Sequence, residues 1–365
     1  MTASFEALGL HVDERQGRWL AEAGIQEPTG AQRQAIGPAL AGLHVLVNTG
    51  TGTGKTLAYL LPLLQSLREA PGRAVVFAPG AELAMQTLRV ADALKDDALL
   101  TGAAITTTSR KRQDQRLTKS TRLVVGTPDR LIELFRAGKL KGTRLIVLDE
   151  LEPILGARDA GFLDTLLARS TPRVQLLVAA ATLGRRSEAF LGRFMPDAVR
   201  VTDGGPAVGS VSHHVVRAPA SGKDVVMARL IEAQKCEQAI VFVHEPAVQS
   251  HLFHYLNAHG LPAVTLNPER TKSQRERALT AFRRGEARVL LVTDALARGL
   301  DVPDVGWVLH HSMPRGPEAY VHRAGRTGRA GRSGRSVVLV QDREAQELRR
   351  LEGALGITFV PLERG

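Results

Sequence analysis

The chain has 365 residues, 44% of them hydrophobic and 23% charged, the balance of a soluble globular protein long enough for two domains with separate cores. Lysine and arginine outnumber aspartate and glutamate 48 to 37, and the net charge of +11 favours a polyanionic partner such as nucleic acid. Cys236 is the single cysteine, which excludes an internal disulfide framework and a cysteine-based zinc site. No apolar run reaches the ~18 residues of a membrane span, and the first residues lack a signal-peptide core, so we expect a cytoplasmic protein with no membrane partner.

Helical sequence covers residues 11–42, with a break at Pro28-Thr29, where proline ends one helix and threonine caps the next. Short apolar runs separated by helix-like sequence follow, at 45–47, 74–78, 123–125, 145–148 and 175–180. Near-continuous valine and leucine runs that alternate with helices predict a parallel sheet covered on both faces.

Glycine is frequent between residues 202 and 210, and this segment is predicted to be an interdomain linker. The alternation restarts beyond it, with apolar runs at 239–243, 263–266, 289–292, 307–309 and 336–340, and residues 341–365 are predicted to add one helix and one strand. We therefore predict an α/β fold with two tandem domains, each a mainly parallel sheet with helices on both faces. Their bounds are residues 1–203 and 211–365, joined by a linker over 204–210.

Residues 46–56 form a glycine-rich loop between a predicted strand and a predicted helix, with the sequence Leu-Val-Asn-Thr-Gly-Thr-Gly-Thr-Gly-Lys-Thr. Such a loop turns backbone N–H groups toward an anion, and the helix N-terminus adds its positive dipole end. Lys55 is predicted to contact the β- and γ-phosphates of a nucleotide, and the Thr56 hydroxyl is predicted to ligate Mg²⁺. The phosphate-loop pattern has a glycine where this chain has Thr49, and the alternative interpretation is a plain glycine-rich turn before a helix.

Asp149 and Glu150 follow a buried strand, at the edge where open α/β sheets bind their ligands. Asp149 is predicted to hold Mg²⁺ opposite Thr56, and Glu150 to orient or deprotonate the attacking water, as in other phosphate-loop hydrolases. An apolar strand that ends in acidic residues is common, so the assignment depends on the glycine-rich loop.

Arg326 and Arg329 lie in a segment of the second half that is rich in arginine and glycine. From there they are predicted to reach the γ-phosphate and to stabilise charge in the transition state. The alternative interpretations are a solvated basic loop and a disordered Arg-Gly segment.

Across nearly its whole length the chain resembles the helicase core of the DEAD-box family of superfamily 2 RNA helicases. The resemblance rests on motifs that occur in the family's order. They are the Q motif at 24–32, motif I at 51–56, motif Ib at 126–130, motif II at 149–152, motif III at 180–182, motif V at 293–301 and motif VI at 322–329.

The resemblance implies two RecA-like domains that bind ATP, Mg²⁺ and RNA, and it assigns a role to each matching residue. The nucleotide-binding residues are Phe5 as a stacking aromatic, Gln32 as the adenine reader, Thr51, Gly52, Thr53, Gly54, Lys55, Thr56 and Asp301. The RNA-binding residues are Pro79, Gly102, Thr127, Pro128, Arg130, Lys272, Arg275, Thr293, Arg298 and Gly299. Glu152, Thr182 and His322 would couple ATP to domain closure.

Several motifs depart from the family's pattern. Motif II is Asp149-Glu150-Leu151-Glu152 rather than Asp-Glu-Ala-Asp, and motif III is Ala180-Ala181-Thr182 rather than Ser-Ala-Thr. These two changes predict a weakened link between ATP and closure, because in the family the last carboxylate and the serine belong to one polar network. The family's Pro-Thr-Arg-Glu-Leu-Ala is Pro-Gly-Ala-Glu-Leu-Ala at 79–84, so a threonine and an arginine that face RNA phosphate in the family are missing, and fewer contacts to RNA phosphate are predicted. Lys272 stands where the family has a glutamine.

The expected function is that of an ATP-dependent RNA helicase, which couples ATP binding and hydrolysis to local duplex unwinding. The alternative is an ATP-gated RNA-binding clamp or chaperone with weak or no unwinding, because of the altered motifs II and III. A DNA helicase of the same superfamily is disfavoured by the Q motif at 24–32. We expect a monomer, and the sequence identifies neither the RNA nor any protein partner.

Overall fold

The structure, a computed structural model, describes residues 4–362 with the exception of 51, 106–116, 159, 171–173, 203–210, 268, 295–304 and 329–332. The chain divides into two compact units. The linker predicted over 204–210 lies outside the described residues.

The first unit consists of parallel strands connected by helices. Its strands are β1 (Val45–Asn48), β2 (Arg73–Phe77), β3 (Thr101–Ala104), β4 (Leu123–Gly126), β5 (Thr143–Asp149), β6 (Gln175–Ala180) and β7 (Val199–Thr202). Its helices are α1 (Glu14–Glu22), α2 (Gly30–Leu40), α3 (Lys55–Glu69), α4 (Ala81–Leu94), α5 (Pro128–Arg136), α6 (Leu151–Leu155), α7 (Ala160–Ser170) and α8 (Arg185–Phe194), preceded by a 3₁₀ turn at Glu6–Leu8.

The second unit repeats this alternation. Its strands are β8 (Val211–Arg217), β9 (Ala239–Phe242), β10 (Ala263–Leu266), β11 (Val289–Val292), β12 (Trp307–His310), β13 (Gly334–Val340) and β14 (Val360–Pro361). Its helices are α9 (Lys223–Ala233), α10 (Pro246–Ala258), α11 (Lys272–Arg283), α12 (Pro317–Ala324) and α13 (Ala345–Leu355), with 3₁₀ turns at Ala220–Gly222 and Asp342–Glu344.

Both sheets have the same strand order. The first is β3-β4-β2-β5-β6-β1-β7 and the second is β10-β11-β9-β12-β13-β8-β14. The first strand of one unit therefore corresponds to the first strand of the other, β1 to β8, and so on to β7 and β14. Every neighbouring pair in either sheet is parallel. The carboxyl ends of the strands therefore lie along one edge of each sheet, where a ligand site of an α/β fold is formed.

Each sheet is covered by apolar side chains on both faces. In β1, Val45 and Val47 belong to one hydrophobic cluster and Leu46 to the other. In β9, Val241 and Phe242 divide between two clusters in the same way. This alternation follows from the strand period of two, and it confirms the predicted α/β class with helices on both faces.

The predicted strands are all present, and the last helix and strand of the chain occur as expected. The sequence interpretation missed β3, β7 and β8. The sequence of β3, Thr-Gly-Ala-Ala, has no large apolar residue, β7, Val-Arg-Val-Thr, has no two adjacent apolar residues, and β8 places Ser212, His213 and His214 in its first half. Among the described residues, no helix is long and apolar enough to cross a membrane.

Candidate functional site

The glycine-rich loop connects β1 to α3, as predicted. Gly52 and Gly54 have φ angles of 81° and 83°, a left-handed conformation that glycine adopts without strain. Lys55 is the first residue of α3, and its Nζ donates a hydrogen bond to the Thr49 carbonyl at 2.8 Å. The Thr49 and Thr53 hydroxyls lie 2.6 Å apart. The loop thus places the lysine ammonium at the start of a helix, where a phosphate is favoured.

The predicted Q motif lies beside this loop and supports it. Thr29 and Gln32 form a capping box at the start of α2. The Thr29 hydroxyl donates to the Thr53 carbonyl at 2.7 Å, and Gln32 Nε2 donates to the Gly54 carbonyl at 3.1 Å. Gln32 is only 1% exposed, and its Oε1 accepts from the Thr29 amide at 2.9 Å. In this structure Gln32 therefore holds the glycine-rich loop, which we also call the phosphate loop. The adenine-reading role of Gln32 stays a prediction.

Phe5 packs in the hydrophobic core of the first unit and is 5% exposed. Its position is that of a core residue, so its stacking on a nucleotide also stays a prediction.

Asp149 ends β5 and is held by a tyrosine that the sequence interpretation missed. The Tyr59 hydroxyl donates to Asp149 Oδ2 at 2.7 Å, and Asp149 is 4% exposed. Burial and the negative charge of Asp149 raise the pKa of Tyr59 well above its ordinary value, so the phenol stays a donor. Tyr59 follows Lys55 by four residues and Thr56 by three on α3, a spacing that places it on the same helix face and could have identified it.

Glu150 makes the turn between β5 and α6 and has a left-handed backbone, with φ 63° and ψ 82°. Left-handed backbone is uncommon for residues other than glycine, and it is a form of local strain that concentrates at functional sites. The Glu150 amide donates to the Ala179 carbonyl at 2.9 Å. The strained turn fixes the candidate general base next to Asp149.

Strand β6 joins the glycine-rich loop to the acidic pair. The Thr49 amide donates to the Ala180 carbonyl at 3.2 Å, next to the carbonyl that Glu150 uses. Because β1 and β5 pair with β6 on opposite sides, the two segments start about 10 Å apart at the same edge of the sheet. The structure thus brings together Lys55, Asp149 and Glu150.

Thr56 and Asp149 also fit a magnesium ion. Both side chains interact with the Tyr59 hydroxyl, which places them in one neighbourhood. Carboxylate and hydroxyl oxygens are the ligands that Mg²⁺ prefers.

Glu152, the last residue of motif II, has a partner two residues beyond motif III. Its Oε1 accepts a hydrogen bond of 2.6 Å from the amide of Gly184, which caps the N-terminus of α8. Thr182 lies half-buried between this contact and the Ala180 carbonyl that accepts from Thr49. The structure thus gives Glu152 a donor other than a hydroxyl at 180, and the weakened link between motifs II and III stays a prediction.

The RNA-facing residues predicted in the first unit divide into two groups. Pro79, Thr127 and Pro128 follow the carboxyl ends of β2 and β4, at the ligand edge of the sheet. Thr127 is 7% exposed, and its hydroxyl has no hydrogen-bond partner in the described part of the chain. A buried hydroxyl without a partner is costly, so it is a candidate contact for a ligand.

Gly102 and Arg130 are placed differently from the prediction. Gly102 lies inside β3, where a Cβ atom would be 2.4 Å from Leu117, so it is packed within the unit. Arg130 is 3% exposed and pairs with Glu133 at 2.9 Å, one helical turn later on α5. The interior positions of both residues do not support a direct RNA contact.

In the second unit, Thr293 directly follows β11, as Thr127 directly follows β4. Thr293 is 5% exposed, and its hydroxyl likewise has no partner among the described residues. Because β4 and β11 are the fourth strands of sheets with the same order, the two unpaired hydroxyls occupy equivalent positions.

Arg275 is half-buried in the first turn of α11, whereas Arg298, Gly299 and the Lys272 side chain lie outside the described residues.

Motif VI begins on α12. Arg323 is 1% exposed and forms a bidentate ion pair with Asp294, at 2.6 and 2.7 Å. His322 Nε2 lies 3.7 Å from Glu318, one turn earlier. Arg326 follows the end of α12, and its carbonyl accepts from the Val305 amide at 3.2 Å, so the second unit fixes its backbone. Arg329, Asp301 and Thr51 lie outside the described residues.

In the second unit, the lysine that corresponds to Lys55 is engaged by contacts within that unit. Lys223 follows a glycine and begins α9, as Lys55 begins α3. Its Nζ donates to the carbonyls of His311 and Leu339, both at 3.1 Å, and pairs with Glu344 at 3.2 Å. Because these contacts bury the ammonium, this lysine is not available to a phosphate.

Two family models match most of the chain. Residues 29–190 match the DEAD/DEAH box helicase family, and residues 222–331 match the helicase conserved C-terminal domain. The DEAD-box ATP-dependent RNA helicase CshC of Bacillus cereus is 34% identical over 94% of this chain and 89% of its own length. The probable ATP-dependent RNA helicase YfmL of Bacillus subtilis is 33% identical over 94% of this chain and 92% of its own.

A solved structure confirms the fold. S. cerevisiae Dbp5 bound to RNA and ADP BeF3 has a TM-score of 0.83 to this chain, with 24% identity over all of this chain and 96% of Dbp5. This likeness confirms two tandem RecA-like domains. Together with the bacterial relatives, it shows that the chain belongs to the DEAD-box family of ATP-dependent RNA helicases.

Proposed function

We propose that this protein binds ATP at the edge of its first sheet and uses ATP binding and hydrolysis to unwind short RNA duplexes. The observation that carries the proposal is that the amides of Thr49 and Glu150 bond to adjacent carbonyls of β6, while Lys55 bonds to the Thr49 carbonyl. The names of the bacterial relatives, which are ATP-dependent RNA helicases, support the same activity.

In this proposal the residues of the first unit have separate tasks. Lys55 binds the β- and γ-phosphates, assisted by the amides at the start of α3. Glu150 orients or deprotonates the attacking water. Thr56 and Asp149 would hold Mg²⁺, which neutralises phosphate charge when it is bound. Tyr59 holds the Asp149 carboxylate in one orientation through its 2.7 Å hydrogen bond.

RNA is proposed to bind along the ligand edges of the two sheets. The unpaired hydroxyls of Thr127 and Thr293, at equivalent positions of the two units, are suited to donate to phosphate oxygens. Thr127 also precedes the N-terminus of α5, where an anion is favoured. The net charge of +11 adds an attraction that does not depend on sequence.

Arg326 and Arg329 are proposed to stabilise transition-state charge from the second unit, as arginine fingers do in other phosphoryl-transfer enzymes. Asp301, Arg298 and Gly299 keep the nucleotide and RNA roles that the family resemblance assigns to them.

The test compares RNA with DNA. The ATPase rate of the full chain is measured alone, with single-stranded RNA and with DNA of the same sequence, next to strand separation of a short RNA duplex. We expect RNA, and not DNA, to stimulate hydrolysis, and we expect the duplex to separate only with ATP. Lys55→Ala should abolish both activities.

Two other outcomes identify the alternatives. RNA-stimulated hydrolysis without strand separation would indicate an ATP-gated RNA clamp, and equal stimulation by DNA would indicate a DNA helicase. An ATPase indifferent to both nucleic acids would refute the proposal. A monomeric, cytoplasmic protein remains our expectation.

A further inference from the structure

The bond between Glu152 and Gly184 replaces a contact that the sequence lacks. Position 180 carries a methyl group, is 1% exposed and packs in the hydrophobic cluster on one face of the sheet. It offers the Glu152 carboxylate no donor. The carboxylate instead accepts from the Gly184 amide at 2.6 Å, a short bond of the charge-assisted kind.

The side-chain length at 152 and the glycine at 184 are matched to each other. A Cβ atom on Gly184 would lie 2.6 Å from Glu152 Oε1, a distance that real Cβ atoms essentially never show, and 3.3 Å from its Cδ, a tight contact. The Gly184 backbone, with φ −94° and ψ 177°, is open to any residue. An alanine at 184 would therefore displace the end of the flexible Glu152 side chain from this amide, whereas the backbone itself accepts it.

Two anchors then hold the residues of motif III. The Ala180 carbonyl accepts from Thr49 of the phosphate loop, and the Gly184 amide donates to Glu152 of motif II. The intervening segment, which includes Thr182, is thus bonded at one end to Thr49 and at the other to Glu152, the last residue of motif II.

We propose that Glu152 is a positioning residue that links motif II to motif III through the Gly184 main chain, in place of the side-chain contact to position 180. The extra methylene of glutamate relative to aspartate lets the carboxylate reach this amide. The departures at 152 and 180 are then one rearranged link that preserves coupling. This inference rests on the proposed ATP-driven unwinding.

The direct test measures amide exchange at Gly184 and needs no activity. In Glu152→Ala the Gly184 amide should exchange at least about tenfold faster than in the parent, because it loses its acceptor. In Glu152→Gln it should stay within about threefold, because the amide oxygen still accepts. Equal exchange in Glu152→Ala and the parent would refute the link.

The functional test measures RNA unwinding and ATP affinity in the same variants. Glu152→Asp, shorter by about 1.5 Å, and Gly184→Ala should each lower the unwinding rate about tenfold and leave ATP affinity unchanged. Glu152→Gln should retain most of the rate, a rescue by length that general loss of structure would not give. Glu152→Ala combined with Gly184→Ala should be no slower than the slower single variant, because both remove one bond.

Gly192→Ala is the matched control. Gly192 lies within α8, the helix that Gly184 caps, and no described atom lies within 4 Å of an added Cβ, so unwinding should equal that of the parent. Unwinding by Glu152→Asp within twofold of the parent, or multiplicative effects in the double variant, would overturn the positioning role. A parent without RNA-stimulated ATPase would instead refute the proposed function, and amide exchange would still decide the link.

Discussion

At the scale of single residues, the positive charge of this chain has two uses. Arg73 is 8% exposed, and its guanidinium donates to the carbonyls of Thr121, Lys139 and Lys141 at 2.8–3.1 Å. Arg122 likewise donates to the Gly72 carbonyl at 3.0 Å. These arginines satisfy buried backbone oxygens of the first unit, so part of the net charge serves the fold and not a polyanionic partner.

Glu150→Gln tests the assignment of the general base. Glutamine keeps the size and position of the side chain but cannot take a proton, so ATP should bind with parental affinity and hydrolysis should slow by about 10²-fold or more. Titration with a fluorescent ATP analogue and a steady-state ATPase assay separate the two effects. Glu14→Gln, an exposed glutamate of α1, is the control. Unchanged turnover in Glu150→Gln would remove Glu150 from the mechanism.

Thr127→Val tests whether an unpaired hydroxyl serves RNA. Removing a buried hydroxyl that has no partner among the described residues should leave stability equal or slightly higher, whereas RNA affinity should fall several-fold, about 1 kcal/mol. Thermal unfolding and RNA titration at fixed salt give the two values.

Thr265→Val is the matched control, because its hydroxyl is also buried and unpaired among the described residues but lies within β10. It should share the stability effect and leave RNA affinity unchanged. If Thr127→Val binds RNA as the parent does, its hydroxyl does not contact the RNA.

At the scale of elements, the phosphate loop depends on α2 as much as on its own glycines. Thr29 and Gln32 hold the carbonyls of Thr53 and Gly54, so the loop is fixed before any phosphate binds. Such pre-organisation lowers the entropic cost of binding a nucleotide.

Gly54→Ala should disrupt this assembly. The left-handed backbone costs an alanine about 1–2 kcal/mol, and the Cβ would also lie 2.3 Å from Gln32 Nε2. We expect a lower unfolding temperature and at least about tenfold weaker ATP binding, because the loop loses its support. Both are measured by thermal unfolding with and without ATP.

Gly42→Ala separates the two causes. Its φ of 79° imposes the same backbone strain, but no atom lies within 4 Å of the added Cβ. This variant should lose stability and keep ATP affinity. An equal loss of ATP affinity in both variants would show that the contact with Gln32 is not what supports the loop.

At the scale of the whole molecule, two sheets of one topology carry different chemistry. In the first sheet, the carboxylates Asp149 and Glu150 stand at the carboxyl end of β5. In the second sheet, His310 and His311 stand at the carboxyl end of the corresponding strand, β12. His311 Nε2 lies 2.8 Å from Asp224, which follows the buried Lys223. The second unit thus fills its equivalent site with its own side chains.

The buried histidines of the second unit predict acid lability. Burial, with a smaller contribution from the neighbouring charge of His214, lowers the pKa of His213 to about 4. Burial and the charge of Arg323 also lower the pKa of His310. The unfolded chain takes up these protons first, near pH 6.5, so stability is complete above that pH and falls as the pH drops toward about 4.

Thermal unfolding at pH 7.5 and pH 5 checks this prediction. We expect a lower unfolding temperature at pH 5, and a smaller difference between the two pH values in His213→Gln, which keeps an acceptor for the Tyr320 hydroxyl. His254→Gln, an exposed position on α10, should keep the parental difference. The same difference in all three proteins would mean that other groups cause the lability.

The sequence by itself determined the α/β class, the tandem domains, the phosphate loop and the acidic pair. These features depend on local patterns: apolar runs of strand length, helices between them, and motifs whose residues are contiguous. The edge strand β3 and the polar strand β8 were not predicted, because they lack such runs and form only by pairing with their neighbours in the sheet.

Tertiary structure alone decided which side chains meet. Tyr59 and Asp149 are 90 residues apart, and Glu152 and Gly184 are 32 apart, so no local pattern records either contact. Burial also turned Arg130 and Gly102 inward and left the hydroxyls of Thr127 and Thr293 without a partner in the part of the chain that the structure describes. Hydrogen bonds and burial require closeness in space. Segments that are far apart in the sequence come close together only when the sheet forms.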